Sequence, residues 1–305
     1  MSACRAIPRR MIVIFNAGAG AASDSETEVR TAFQKVGAEC EIVSPDANTD
    51  ITALAERWAK SEHETIVAEG GDGTITAVAG ALVGSDKTLG VLPVGTLNHF
   101  AKDLKIPLAV EAAVRTITDG NVTSIDTAEV NGRVFINNSS LGIYPRIVAK
   151  REAQQQRLAR GKWPAALWAT VHAFRRFPFL NLRITLDDQQ LHRRTAFLFI
   201  GNNPYQISGF SLGGRERLNS GQLGLYLTHR TGRWGLLRLA LHALFGRVNQ
   251  AADFDAFTVS DALIETDRSR VLVATDGEVN MMESPLRYRV RPRSLRVLVP
   301  RSTEG

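Results

Sequence analysis

Thr65-Ile66-Val67-Ala68 is a short apolar run of the kind that forms a buried strand, and it leads into Gly70-Gly71-Asp72-Gly73-Thr74. Beyond that turn, Ile75, Val78, Ala79 and Leu82 recur at the spacing of one helix face, which predicts a helix starting near Thr74. A strand, a glycine turn and a helix in so few residues confine this part of the chain to α/β folds. Glycine there lets the backbone approach a phosphate, and the helix N-terminus offers N–H groups and a positive dipole end. Asp72 adds a carboxylate suited to holding a magnesium ion on that phosphate. Taken alone, Gly-Gly-Asp-Gly is equally well a tight strand-to-helix turn.

A second copy of the pattern follows one βα unit later. Thr88-Leu89-Gly90-Val91-Leu92 reads as a buried strand and runs into Pro93-Val94-Gly95-Thr96-Leu97-Asn98-His99-Phe100-Ala101-Lys102. Two polar turns at the C-terminal ends of neighbouring parallel strands open onto one crevice. Met11–Phe15 and Cys40–Val43 add strands, Ser23 or Asp24 and then Asp50 are N-cap candidates for two further helices, and a helix over Leu108–Ile117 closes at Asp119-Gly120. The expected fold is therefore a parallel α/β domain over residues 1–125.

After Asn121 the texture changes to short strands punctuated by turns: 122–130, 133–137, 182–186, 196–200, 223–228, 256–259, 263–266, 271–274, 286–290 and 295–299. This predicts an all-β, antiparallel β-sandwich domain over residues 126–294. Two amphipathic helices interrupt it, one carrying Trp163, Leu167, Val171 and Phe174, the other Trp234, Leu237, Leu241 and Leu244. Most such stripes are core. With basic flanks they also suit a membrane surface. The chain carries a net charge of +6, and residues 146–176 hold eight basic side chains against the single acid Glu152. An anionic membrane surface fits that segment, whereas no nucleic-acid-binding motif accompanies it. Cys4 and Cys40 make neither a metal cluster nor a disulfide framework, and neither a secretory signal nor a membrane span is visible, so a cytoplasmic protein is expected, with peripheral membrane contact.

These motifs, in this order, resemble the diacylglycerol kinase catalytic family, the bacterial lipid-kinase and sphingosine-kinase group, which is similar in fold to NAD kinases. The resemblance rests on Gly70–Thr74, on Leu92-Pro93-x-Gly95-Thr96-x-Asn98-x-Phe100-Ala101, on Asp126, on Phe135-Ile136-Asn137-Asn138 with Leu141-Gly142, and on Asp276-Gly277-Glu278. It implies that the last strand, about 295–303, returns to the first domain, and that a homodimer is plausible. The family's first turn, usually Asn-Pro-x-Ser-Gly, is here Asn16-Ala17-Gly18-Ala19-Gly20; Ala77 stands where a Glu is common, and His99 where an Asp is common. Bacterial members often hold a structural magnesium in an Asp-Asp-Gly loop. The matching stretch is Leu218-Asn219-Ser220-Gly221, which lacks carboxylates, so no structural magnesium is expected at Asn219-Ser220.

The implied function is an ATP- and Mg2+-dependent kinase acting on a membrane lipid, with ATP in an interdomain crevice. Gly70, Gly71, Gly73 and Gly95 line its phosphates, and Asn16, Thr74, Thr96, Asn98 and Ser44 supply hydrogen bonds. Asp72 organises magnesium and phosphate, and Glu278 is the candidate base for the acceptor hydroxyl. Asp126, Asp276 and Gly277 are supporting residues; Asp126 either orients groups at the domain junction or caps a turn. A NAD kinase-like enzyme and a catalytically silent lipid- or nucleotide-binding protein are the rival readings. Gly209-Phe210-Ser211-Leu212-Gly213 has the hydrolase Gly-x-Ser-x-Gly pattern but lacks the strand-to-helix context. The sequence contains no Gly-x-x-x-x-Gly-Lys-Ser/Thr P-loop.

Overall fold

The computed structural model describes residues 10–15, 22–46, 49–142, 145, 179–186, 189–208, 211–212, 214–228 and 254–301. Asn16 and the first glycine turn, the basic segment 146–176, and both amphipathic insertions lie outside these residues. In chain order the elements begin with β1 (Met11–Ile14), α1 (Ala22–Lys35), β2 (Glu41–Val43), α2 (Ile51–Ala59), β3 (Thr65–Gly70), α3 (Asp72–Leu82) and β4 (Thr88–Pro93). They continue with α4 (His99–Asp103), α5 (Val110–Asp119), β5 (Asn121–Val130), β6 (Arg133–Phe135), β7 (Asn138–Gly142), β8 (Leu180–Leu186), β9 (Gln189–Thr195) and β10 (Phe197–Asn202). The remainder are β11 (Ile207–Ser208), β12 (Ser211–Leu212), β13 (Leu223–Thr228), β14 (Phe254–Val259), β15 (Asp261–Thr266), β16 (Arg270–Thr275), β17 (Glu278–Glu283) and β18 (Leu286–Val299).

The chain divides into two compact units, Met1–Thr127 with Arg291–Gly305, and Ala128–Val290. The first is a parallel sheet in the order β2-β1-β3-β4-β18. Its central strands are buried on both faces, as parallel strands covered by helices must be. Helix α2 starts where expected, because the Asp50 side chain accepts the N–H groups of Thr52 (2.9 Å) and Ala53 (3.3 Å). Helix α1 begins at Ala22, so Ser23 and Asp24 lie within its first turn rather than capping it. Ile75, Val78, Ala79 and Leu82 of α3 are buried, each of the three larger side chains contributing about 1.5–3 kcal/mol.

The second unit is antiparallel throughout. One sheet runs β14-β13-β10-β7-β16-β17; the other pairs the Leu286–Arg289 stretch of β18 with β15, β15 with β8, and β8 with β9. Leu182, Ile184, Leu198, Ile200, Leu225, Leu227, Val273, Ile264 and Tyr288 meet in the core between them. This is the sandwich read from the strand spacing. Ser211-Leu212 lies in a short antiparallel pair with β11, not at a strand-to-helix elbow. No helix among the described residues is long and apolar enough to cross a membrane.

Candidate active site

The parallel order of the first unit puts the C-terminal ends of β2, β1, β3 and β4 along one sheet edge, and two of the predicted turns sit there. Strand β3 runs on to Gly70, two residues past the apolar run, and α3 begins at Asp72 with Gly71 as its N-cap. Asp72 therefore stands in the first helical turn, where its carboxylate meets the positive dipole end. Gly70 has φ +156°, and a Cβ there would come within 2.7 Å of the Thr74 side chain. The two turns touch: a Cβ on Gly95 would lie 2.5 Å from the Gly71 Cα, and the Val94 N–H donates to the Gly70 carbonyl at 3.2 Å. Only glycine permits this approach. Gly95→Ala is expected to separate the turns, lowering stability by about 1–3 kcal/mol; thermal unfolding would check it.

Asn98 locks the second turn. It takes the left-handed conformation (φ 50°), is 4% exposed, and its Nδ2 donates to the carbonyls of Gly95 (2.7 Å) and Pro93 (3.4 Å). Its buried Oδ1 has no hydrogen-bond partner, which leaves an acceptor for a ligand donor. Asp72 Oδ1 accepts the Phe100 N–H at 3.4 Å, tying α3 to the start of α4. Thr74 is buried, while Gly73 and Thr96 are exposed on this edge. Ser44, just past β2, donates to Glu26 Oε2 at 2.7 Å. That bond and the Arg30 guanidinium hold the Glu26 carboxyl below its ordinary range. Asp126 is 1% exposed and accepts the Arg293 N–H at 2.8 Å, where β18 kinks through a positive φ of 48°. It caps a turn inside the first unit.

The Asp276-Gly277-Glu278 motif belongs to the second unit. Asp276 and Gly277, with φ of 47° and 91°, are the two-residue turn of the β16–β17 hairpin. Glu278 thus opens β17 instead of ending the preceding strand. The turn backbone is partly exposed, but the Asp276 carboxylate points inward and accepts the N–H groups of Ile136 (2.7 Å), Asn137 (2.8 Å) and Asn138 (2.9 Å). Burial pushes this carboxyl up from its ordinary range, and the three N–H groups and Arg215 pull against that rise. Asp276→Ala strands three donors and puts alanine at positive φ, so it is expected to cost about 3–5 kcal/mol, against about 1–2 kcal/mol for Asp276→Asn; urea unfolding reads the difference. The Glu278 side chain is 64% exposed, and its Oε2 accepts from Arg133 Nη2 at 2.5 Å. Arg133 also donates to Thr275 Oγ1 at 3.1 Å.

Sequence reading missed Arg133 and Arg215. Arg133 follows an Asn131-Gly132 turn signal that predicts its hairpin, but nothing local ties it to Glu278. Ser220, in the loop matching the family's metal loop, donates its N–H and Oγ–H to Asn203 Oδ1 at 2.8 and 2.6 Å. Among the described residues no group of three or more His, Cys, Asp and Glu side chains is placed to hold a metal.

Residues 10–130 match the diacylglycerol kinase catalytic domain, and residues 142–299 the YegS C-terminal NAD kinase beta sandwich-like domain. The chain is 28% identical over 183 residues to a diacylglycerol kinase of Staphylococcus epidermidis, a match covering 58% of this chain and 56% of that one. It is 29% identical over 225 residues to the diacylglycerol kinase of Bacillus subtilis, covering 72% of this chain and 73% of that one. The chain thus spans little more than half the length of the staphylococcal relative. A crystal structure of a diacylglycerol kinase from Bacillus anthracis superimposes with a TM-score of 0.72 at 20% identity, over 96% of this chain and 98% of that one, a likeness of fold. The chain belongs to the family that joins a diacylglycerol kinase catalytic domain to a YegS-type, NAD kinase-like β-sandwich domain.

Proposed function

We propose that the protein is an ATP-dependent lipid kinase that moves the γ-phosphoryl group of ATP to a lipid hydroxyl, diacylglycerol or a relative of it. The observation that carries the reading is the pair of glycine turns in contact at the ends of β3 and β4, with Asp72 at the head of α3. The family supports the lipid branch over a NAD kinase-like enzyme. In this reading Gly70, Gly71, Gly73 and Gly95 admit the phosphates to the backbone. Thr74, Thr96, Asn98, Asn16 and Ser44 hydrogen-bond the nucleotide. Asp126 holds the Arg293 backbone within the first unit, and Asp276 and Gly277 form the turn that leads into Glu278 in the second.

Asp72 has an oxygen beyond the one that accepts from Phe100, and among the described residues no group of three or more His, Cys, Asp and Glu side chains is gathered to hold a metal. That suits Mg2+, which binds through one or two carboxylates plus substrate phosphates and water. When bound, the ion would neutralise the charge that builds on the transferring group. Glu278, steered by Arg133, takes the proton of the lipid hydroxyl as its oxygen bonds to the γ-phosphorus and ADP departs. The basic segment 146–176 supports contact with an anionic membrane surface.

The test is transfer of label from γ-labelled ATP to diacylglycerol, phosphatidylglycerol, a sphingoid base and a polyprenol, each in mixed micelles. Label in one class is expected. ATP binding with no labelled lipid would favour the silent binding protein.

A further inference from the structure

Arg215, in the loop between β12 and β13, is a buried cation that the reaction scheme above leaves unused. It is 5% exposed. Its Nη1 donates to the Ile136 carbonyl at 2.7 Å and the Asn202 carbonyl at 3.0 Å, its Nη2 donates to Asn137 Oδ1 at 2.8 Å, and its guanidinium lies 5.3 Å from the Tyr205 ring centroid. These acceptors sit at one end of the six-stranded sheet, before β7 and at the end of β10. Asp276 grips the same stretch through its amides. One cation holds the oxygens of residues 136–137 while one anion holds the N–H groups of residues 136–138. The anion belongs to the turn that presents Glu278.

We propose that Arg215 is a positioning residue for Glu278, a built-in cation that ties together the chain before β7 and the end of β10. The proposal rests on the reading of Glu278 as the base. The residues do not fit a structural divalent ion. Two carbonyls and the Asn137 amide oxygen are engaged by guanidinium N–H groups, and Asn203 Oδ1 is engaged by Ser220. A hard cation needs an oxygen-rich set with carboxylates; Arg215 brings a permanent charge and a planar fork of donors that matches several acceptors at once. The order of action is explicit. Arg215 fixes residues 136–137, their amides and that of Asn138 fix Asp276, and the Asp276-Gly277 turn sets where Glu278 begins β17.

Arg215→Ala and Arg215→Lys test it. Arg215→Ala is expected to lower kcat for lipid phosphorylation about 10²-fold with KM for ATP unchanged, and to speed hydrogen exchange at the amides of Ile136, Asn137 and Asn138. Guanidinium ion at low, non-denaturing concentration should restore both, and sodium chloride at equal ionic strength should not. Arg215→Lys keeps the charge without the fork and should fall between, so a folding failure of the alanine variant leaves the proposal testable. The wild-type unfolding midpoint should not move with EDTA or added Mg2+. Unchanged exchange and kcat in both variants, or a midpoint that falls in EDTA, would overturn the proposal. A wild-type protein that phosphorylates no lipid sinks only the kinase reading, because the exchange and guanidinium experiments still judge the role of Arg215.

Discussion

Asp72→Asn lowers phosphoryl transfer by about 10³-fold or more while the fold survives. The substitution keeps size and shape and keeps an oxygen to accept the long Phe100 N–H bond, so the stability change stays within about 1 kcal/mol. What is lost is the negative charge. A cation-organising carboxylate in a phosphoryl-transfer site supplies several kcal/mol of transition-state stabilisation, and each 1.36 kcal/mol is about tenfold in rate. Affinity for ATP should fall in the presence of Mg2+ and stay level or rise in its absence, since Asn removes a charge that repels bare phosphates. Labelled transfer, calorimetric titration with and without Mg2+, and thermal unfolding together read this. Near-normal turnover by a folded Asp72→Asn would remove Asp72 from the site.

Glu278→Ala is the second large effect, a fall of about 10²–10⁴-fold in kcat with nucleotide affinity unchanged. The side chain is largely exposed and its partner Arg133 is 42% exposed, so breaking that pair costs stability only about 0.2–1 kcal/mol. The loss is chemical. The lipid alcohol keeps its proton until late in the reaction, and residual turnover should climb with pH as hydroxide substitutes for the missing base. Steady-state kinetics at several pH values, beside an unfolding curve, separates this from misfolding. A Glu278→Ala variant with wild-type kcat would remove Glu278 as the base for the acceptor.

The glycine turns were legible because their constraint is local: strand, Gly-Gly-Asp-Gly and apolar helix face lie within one short stretch. The Asp50 cap was legible for the same reason. Strand β9 was not, since Gln189-Gln190-Leu191-His192-Arg193-Arg194-Thr195 is an edge strand with little apolar alternation, the composition that blunts an edge. Residues 286–290 and 295–299 read as two strands, whereas β18 runs as one through a positive φ at Arg293, with pairing on both sides of it. The inward grip of Asp276 on Ile136 spans 140 residues of chain and the Arg133–Glu278 pair spans 145. Such contacts leave no periodic trace. The motif marked Asp276 and Glu278 together, but only the hairpin geometry separates the enclosed carboxylate from the exposed one.

The most direct test is a single reaction in which γ-labelled ATP and Mg2+ meet diacylglycerol in mixed micelles and NAD in solution at equal concentration, run with the wild-type protein and with Asp72→Asn. Label is expected in the lipid phase from the wild type and none from the variant. Label confined to NAD, or lipid label that persists in the variant, would contradict it.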